Sequence, residues 1–91
     1  MPQTKQLKIT GRVQGVGYRD AMCVQVAQLG VTGWVRNRRD GSVEAVVSGE
    51  AHALQTIIDW ARRGPQFAVV AGVAVEDAEG SFDAFEFRPT A

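Results

Sequence analysis

The sequence predicts an α+β fold of the ferredoxin-like βαββαβ type: an antiparallel sheet with two helices on one face and a short extra strand at its C-terminal end. Three observations predict it. The hydrophobic period alternates along the chain between two residues and about 3.6. Each change is marked by glycine, a Gly-Pro pair or an Asp-Gly pair. The two helical stretches fall between strands in the order that this architecture requires.

Leu7, Ile9 and Val13 alternate with Lys8, Thr10 and Arg12, which is strand periodicity over roughly residues 6–13. Gly15 and Gly17 break it. From Tyr18 the spacing becomes helical: Tyr18, Met22, Val26 and Leu29 share a face, Gln25 and Gln28 turn away, and Gly30 suits a left-handed cap. Val31–Arg38 reads as a second strand, β-branched and aromatic with no helical stripe. Asp40-Gly41 is a hairpin turn signal, and Ser42–Ser48 is the returning strand, with Val43, Ala45 and Val47 on one side. After Gly49-Glu50, residues Leu54, Ile57, Ile58 and Ala61 follow the spacing of an amphipathic helix, which Gly64-Pro65 ends. Phe67–Glu76 is a Val/Ala-rich strand. Gly80-Ser81 marks a turn, and Phe85 and Phe87 alternate with Glu86 and Arg88 in a short last strand.

One domain spanning residues 1–91 is expected at this length. Apolar residues make up 45% and charged residues 22%, an ordinary globular composition. Ten basic side chains balance ten acidic ones, which argues against a nucleic-acid binder that relies on overall charge. Cys23 and His52 are the only cysteine and histidine, so neither an internal disulfide nor a Cys/His metal constellation is available. The N-terminal residues have no apolar signal core, and no apolar run approaches membrane-spanning length. A soluble cytoplasmic protein is expected, with no cofactor, no metal and no membrane or nucleic-acid partner. Nothing in the sequence calls for oligomerisation, so a monomer is expected.

The first βαβ unit carries the most informative geometry. A crossover helix makes its two strands run in the same direction, so the loop Gln14–Arg19 and Asn37 come to the same end of the sheet. Gly15 and Gly17 allow close backbone approach, and successive N–H groups in such a loop can form an anion nest. The helix that follows adds unpaired N–H groups and the positive end of its dipole. Arg19, in its first turn, adds a charge and a fork that matches phosphate oxygens. A cation there is mildly unfavourable on its own, and a bound anion removes the penalty. An ordinary glycine turn with a solvated arginine explains the same residues. With Asn37 nearby and no competing site, the two readings stand about level.

Gly11-Arg12-Val13-Gln14-Gly15-Val16-Gly17-Tyr18-Arg19 resembles the first signature of the acylphosphatases, and Gly33-Trp34-Val35-Arg36-Asn37-Arg38-Arg39-Asp40-Gly41-Ser42-Val43-Glu44 resembles the second. The likeness extends over nearly the whole chain, Gly64-Pro65 included. It implies hydrolysis of the carboxyl–phosphate bond of small acyl phosphates without metal. Arg19 and the backbone N–H groups of Gln14, Gly15, Val16, Gly17, Tyr18 and Arg19 would hold the phosphate, and Asn37 would orient the attacking water. Tyr18 stands where phenylalanine is usual, a change expected to leave phosphate binding alone. Gln66-Phe67-Ala68 and Pro89-Thr90-Ala91 look less typical of the family.

So sparse a site suits this chemistry. An acyl phosphate expels a carboxylate whose conjugate acid has a pKa of about 4, so no general acid is needed. The loose phosphoryl transition state asks mainly for charge stabilisation and positioning. Arg36, Arg38 and Arg39 border the same end and could draw in anions, although Arg38 and Arg39 read more simply as a solvated hairpin tip. Cys23 reads as a buried small residue, His52 as surface, and Trp34 and Trp60 as packing residues. An RNA-binding module would need aromatics in the central strand Ser42–Ser48, which has none. A metal chaperone would need a cysteine pair in the first loop. A non-catalytic regulatory domain binding an anion at the same loop is the serious rival, and Asn37 is the residue that separates it from an enzyme.

Overall fold

The structure, a computed structural model, describes residues 2–91; Met1, which opens the expected domain span, lies outside them. The elements are β1 (Pro2–Arg12), α1 (Tyr18–Leu29), β2 (Thr32–Asn37), β3 (Val43–Glu50), α2 (Ala51–Arg63), β4 (Val69–Asp77) and β5 (Phe85–Phe87). Every expected element is present. The largest boundary difference is at β1, which starts at Pro2 because its N-terminal half, polar on both faces, pairs with the end of β3 from Pro2↔Glu50 onward. Hydrophobic alternation is silent about such a segment, and backbone pairing makes it a strand nonetheless.

The sheet order is β4-β1-β3-β2-β5. The first four strands are antiparallel to their neighbours, as expected, but β5 runs parallel to β2, so the sheet is mixed. The direction follows from the connection. β4 ends beside the start of β1, with Asp77 opposite Lys5. To reach the free edge of β2 the chain must pass under three strands, roughly 19 Å at the usual strand spacing. Residues 78–84 can span about 23 Å when extended. They deliver the chain to the end where β2 begins, Gly33 opposite Phe85, and β5 has only the direction of β2 left to follow.

Both helices pack on one face of the sheet. Leu7 and Ile9 of β1, Val35 of β2 and Val43, Ala45 and Val47 of β3 are fully buried beneath Tyr18, Met22 and Val26 of α1 and Leu54, Ile57, Ile58 and Ala61 of α2. Leu29, expected on the α1 face, is half-buried against this core. Gly30 and Gly64 close the two helices, as expected. The other face of the sheet carries Glu44, Arg36 and Trp34, and these two charges are paired. The Glu44 carboxylate accepts from Arg36, Arg38 and Gln6, while Arg36 and Arg88 lie over the Trp34 ring at 4.8 and 4.7 Å.

Tyr18 joins the two helices. Its hydroxyl donates to the Ala61 carbonyl in the last turn of α2 at 2.8 Å, and its ring lies against Trp60 with centroids 5.3 Å apart. Burial pushes the phenol pKa well above its usual value, so the donor keeps its proton. The hydroxyl that departs from the family's phenylalanine thus faces the core. Tyr18→Phe leaves a helix-end carbonyl without its donor and should cost about 1 kcal/mol. That corresponds to a fall in Tm of about 4–8 °C for a domain of this size, read by thermal unfolding; an unchanged Tm would show that the bond carries no stability.

Candidate active site

The chain leaves β1 at Arg12, buries Val13 in the core, and turns into α1 through residues 14–17. Two left-handed glycines make the turn: Gly15 at φ 74° and Gly17 at φ 77°, the latter serving as the α1 N-cap. A side chain at either would meet no neighbour, so the backbone conformation itself is what demands glycine. Gly17 gives α1 no side-chain cap, and the first helical bond runs from the Ala21 N–H to the Gly17 carbonyl at 3.0 Å. Among the described residues, nothing accepts from the N–H groups of residues 14–20. The loop and the first turn of the helix therefore present a row of unpaired donors at the positive end of a dipole.

Gln14 fixes the loop to the β2–β3 hairpin. Its side-chain nitrogen donates to the carbonyls of Arg38 at 2.7 Å and Ser42 at 2.9 Å. The hairpin holds itself as well: the Arg38 N–H reaches the Ser42 carbonyl, and Asp40 accepts from both the backbone and the hydroxyl of Ser42. Those bonds hold the Asp40 carboxyl down to about 2. Burial pushes the Glu44 carboxyl up, but the hydrogen bonds from Arg36 and Arg38 outweigh it and leave it below its usual value.

This framework carries Asn37. On one side its backbone pairs with Val43; on the other its carbonyl accepts from the Ala91 N–H at 3.0 Å, since residues 88–91 continue alongside β2 beyond β5. Its side chain and that of Arg19 line one small cleft with Val13, Gly15, Gly17, Tyr18 and Asp20. The cleft holds about 120 Å³, well below the roughly 300 Å³ at which drug-sized pockets begin, and suits one small polar group. Among the buried side-chain oxygens and nitrogens described, Asn37 Oδ1 is the one with no hydrogen-bond partner. Arg19 forms no ion pair among the described residues; its guanidinium lies over the Phe87 ring, 4.4 Å from the centroid.

Arg19, Asn37, Gly15, Gly17 and Tyr18 thus meet where the sequence places them. The Val16 side chain packs against the core and the Gln14 side chain is engaged by the hairpin, which leaves their backbone N–H groups for any ligand. Arg36 and Arg38 turn to the open face, where they share the single carboxylate of Glu44, and neither lines the cleft. Arg39 is exposed, and so is His52. Cys23 is half-buried rather than buried; burial, together with the nearby Asp20, pushes its thiol up and makes it a poor nucleophile. No group of three His, Cys, Asp or Glu side chains able to hold a metal is found among the described residues. Sequence reading missed Phe87 as the neighbour of Arg19, and also missed the Gln14 staple. The only signal for Phe87 was a helix-start arginine with no acidic partner in reach.

The small cleft thus brings together an arginine, the start of a helix with unpaired N–H donors, and Asn37. Comparison with known proteins decides what kind. The acylphosphatase family model matches residues 5–88 of this chain. The chain belongs to the acylphosphatase family. An acylphosphatase from Albidiferax ferrireducens is 53% identical over 85 residues, covering 93% of this chain and 92% of its own. The acylphosphatase of Coxiella burnetii superposes with a TM-score of 0.92 at 31% identity, over 96% of this chain and 93% of its own. That of Bacillus subtilis gives 0.90 at 30% identity, over 97% and 99%. Membership at this level assigns the chain acylphosphatase activity, and the regulatory-domain alternative gains no support.

The hairpin that carries Asn37 rests on two carboxylates that bind protons less readily folded than unfolded. Their stabilisation is present above the unfolded carboxyl value of about 4; that of Asp40 is lost as pH falls towards about 2, and that of Glu44 as pH falls through its own lowered value. Urea unfolding should therefore give a stability that is flat from neutral pH to about 5 and declines below about 4, with Glu44→Gln making the decline shallower. A decline of unchanged steepness in that variant would remove Glu44 from the account.

Proposed function

We propose that the chain hydrolyses small acyl phosphates to a carboxylate and inorganic phosphate through Arg19, the N–H groups of residues 14–19, and Asn37. One observation carries this reading: Asn37, whose side-chain oxygen is buried without a hydrogen-bond partner, lines the same cleft as an arginine with no acidic partner.

The phosphoryl oxygens accept from the loop N–H groups and from the Arg19 fork. These donors are fixed before substrate arrives, so little reorganisation accompanies the build-up of charge in the transition state. A water bound by the Asn37 carboxamide is held opposite the acyl oxygen. Its oxygen attacks phosphorus as the phosphorus–acyl oxygen bond breaks. The bonding pair leaves on the carboxylate, and the proton of the water passes to a phosphoryl oxygen. A carboxamide is a poor base, so Asn37 contributes position rather than basicity. Arg19 is about one helical turn from Cys23, whose raised thiol is not needed for any step. No residue of the cleft is needed as a general acid or a metal ligand, and the reading is metal-independent.

The same reading makes residues 1–91 one catalytic domain that acts as a monomer, with no nucleic-acid or membrane partner. No helix among the described residues is long and apolar enough to cross a membrane. The unpaired Cys23 fits a reducing compartment, and we place the protein in the cytoplasm.

Purified protein with a chelator present should hydrolyse acetyl or benzoyl phosphate, and inorganic phosphate should inhibit competitively. No hydrolysis under these conditions would overturn the metal-independent mechanism. Arg19→Gln should lower kcat/KM by about 100-fold or more, the usual cost of losing a transition-state donor. Asn37→Ala should lower kcat by about 100-fold while leaving inhibition by phosphate in place. Full activity in Asn37→Ala would refute its water-orienting role.

A further inference from the structure

Arg19 raises a problem that the catalytic reading leaves open. A long cationic side chain at the positive end of a helix is repelled by the site it serves and is free to swing into solvent. Something must hold the guanidinium over the cleft. A carboxylate would do so at the cost of the function, because it would neutralise the charge and occupy the fork that phosphate needs. Arg36 and Arg38 show that outcome in this same molecule: Glu44 holds both, and neither lines the cleft. Backbone carbonyls would compete for the same N–H groups.

An aromatic face does neither. It attracts the guanidinium through the ring quadrupole and meets its flat face, while the five N–H donors project from the edge and stay available. Phe87 supplies such a face, with its ring centroid 4.4 Å from the Arg19 guanidinium carbon. Its place follows from the parallel register of β5. Phe87 lies opposite Val35, two residues before Asn37 on β2, and so reaches the end of the sheet where the cleft opens. Alternation along β5 puts Phe85 and Phe87 on the helix side, where Phe85 packs against the core. Phe87 remains 48% exposed, a high fraction for a large aromatic that does no core packing.

We infer that Phe87 is a positioning residue for phosphate binding: it holds Arg19 in the bound orientation without neutralising its charge. The inference rests on the reading that Arg19 grips the phosphate. Phe87 itself touches no substrate and acts through Arg19.

The test uses Phe87→Leu, which keeps apolar bulk and removes the quadrupole, and Phe87→Tyr, which keeps the ring. The readouts are the inhibition constant of inorganic phosphate, KM and kcat for acetyl phosphate, and Tm. Phe87→Leu should weaken phosphate inhibition and raise KM by about two- to fivefold, with kcat less affected and Tm nearly unchanged. Phe87→Tyr should restore the original values. In an Arg19→Gln background, Phe87→Leu should have no further effect on phosphate. Unchanged phosphate affinity in Phe87→Leu, or an effect that persists in that background, would overturn the inference while leaving the role of Arg19 intact. Unchanged phosphate affinity in Arg19→Gln alone would overturn both.

Discussion

Val43 pairs with Ile9 of β1 on one side and with Asn37 of β2 on the other, and the rest of the site depends on that shared register. Because β3 is antiparallel to both neighbours, β1 and β2 must point the same way. The loop that leaves β1 and the residue that ends β2 then emerge together. Slippage of either pairing by one residue would turn the buried set of that strand to the open face, so the core holds the site in register. Val43, Ala45 and Val47 are all fully buried, which makes β3 the least negotiable strand in the sheet. The catalytic geometry is thus a by-product of packing, refined by the Gln14 staple and by the hairpin bonds of Asp40 and Ser42.

Charge is sorted by the same architecture. Strand alternation sends Arg36 to the open face, where it shares the Glu44 carboxylate with Arg38. Arg19, on the first turn of α1, faces unpaired N–H groups and an aromatic ring instead. Three arginines of one chemistry thereby divide into two that stabilise the sheet and one whose fork stays open. The division leaves a chain of balanced charge with an unpaired guanidinium at the cleft, because local geometry, rather than net charge, decides which charges are paired.

Much of this was legible in the sequence because it is local. Gly15 and Gly17 announce a tight turn, Gly30 and Gly64 end helices, Asp40-Gly41 turns a hairpin, and the shared direction of the two strands joined by a crossover helix brings Arg19 towards Asn37. The parts that were not legible depend on long-range partners. The direction of β5 is set by where a seven-residue crossing from β4 can land. The pairing of Glu44 with Arg36 needs the register of two strands, and the Gln14 staple needs the hairpin in place. Phe87 lies far along the chain from Arg19, and alternation marks it as a strand residue without saying what lies across from it. The first half of β1 was missed because paired polar residues leave no hydrophobic trace.

In the proposed mechanism the loop grips a phosphoryl group and Asn37 aims water at phosphorus, not at the acyl carbon. Hydrolysis of acetyl phosphate in water enriched in heavy oxygen, followed by mass spectrometry of both products, tests this most directly. The label should appear in inorganic phosphate and be absent from acetate, since the carbon–oxygen bond of the acyl group is never broken. Label in the acetate would mean attack at carbon, and would contradict the arrangement of Arg19 and Asn37 described for the cleft.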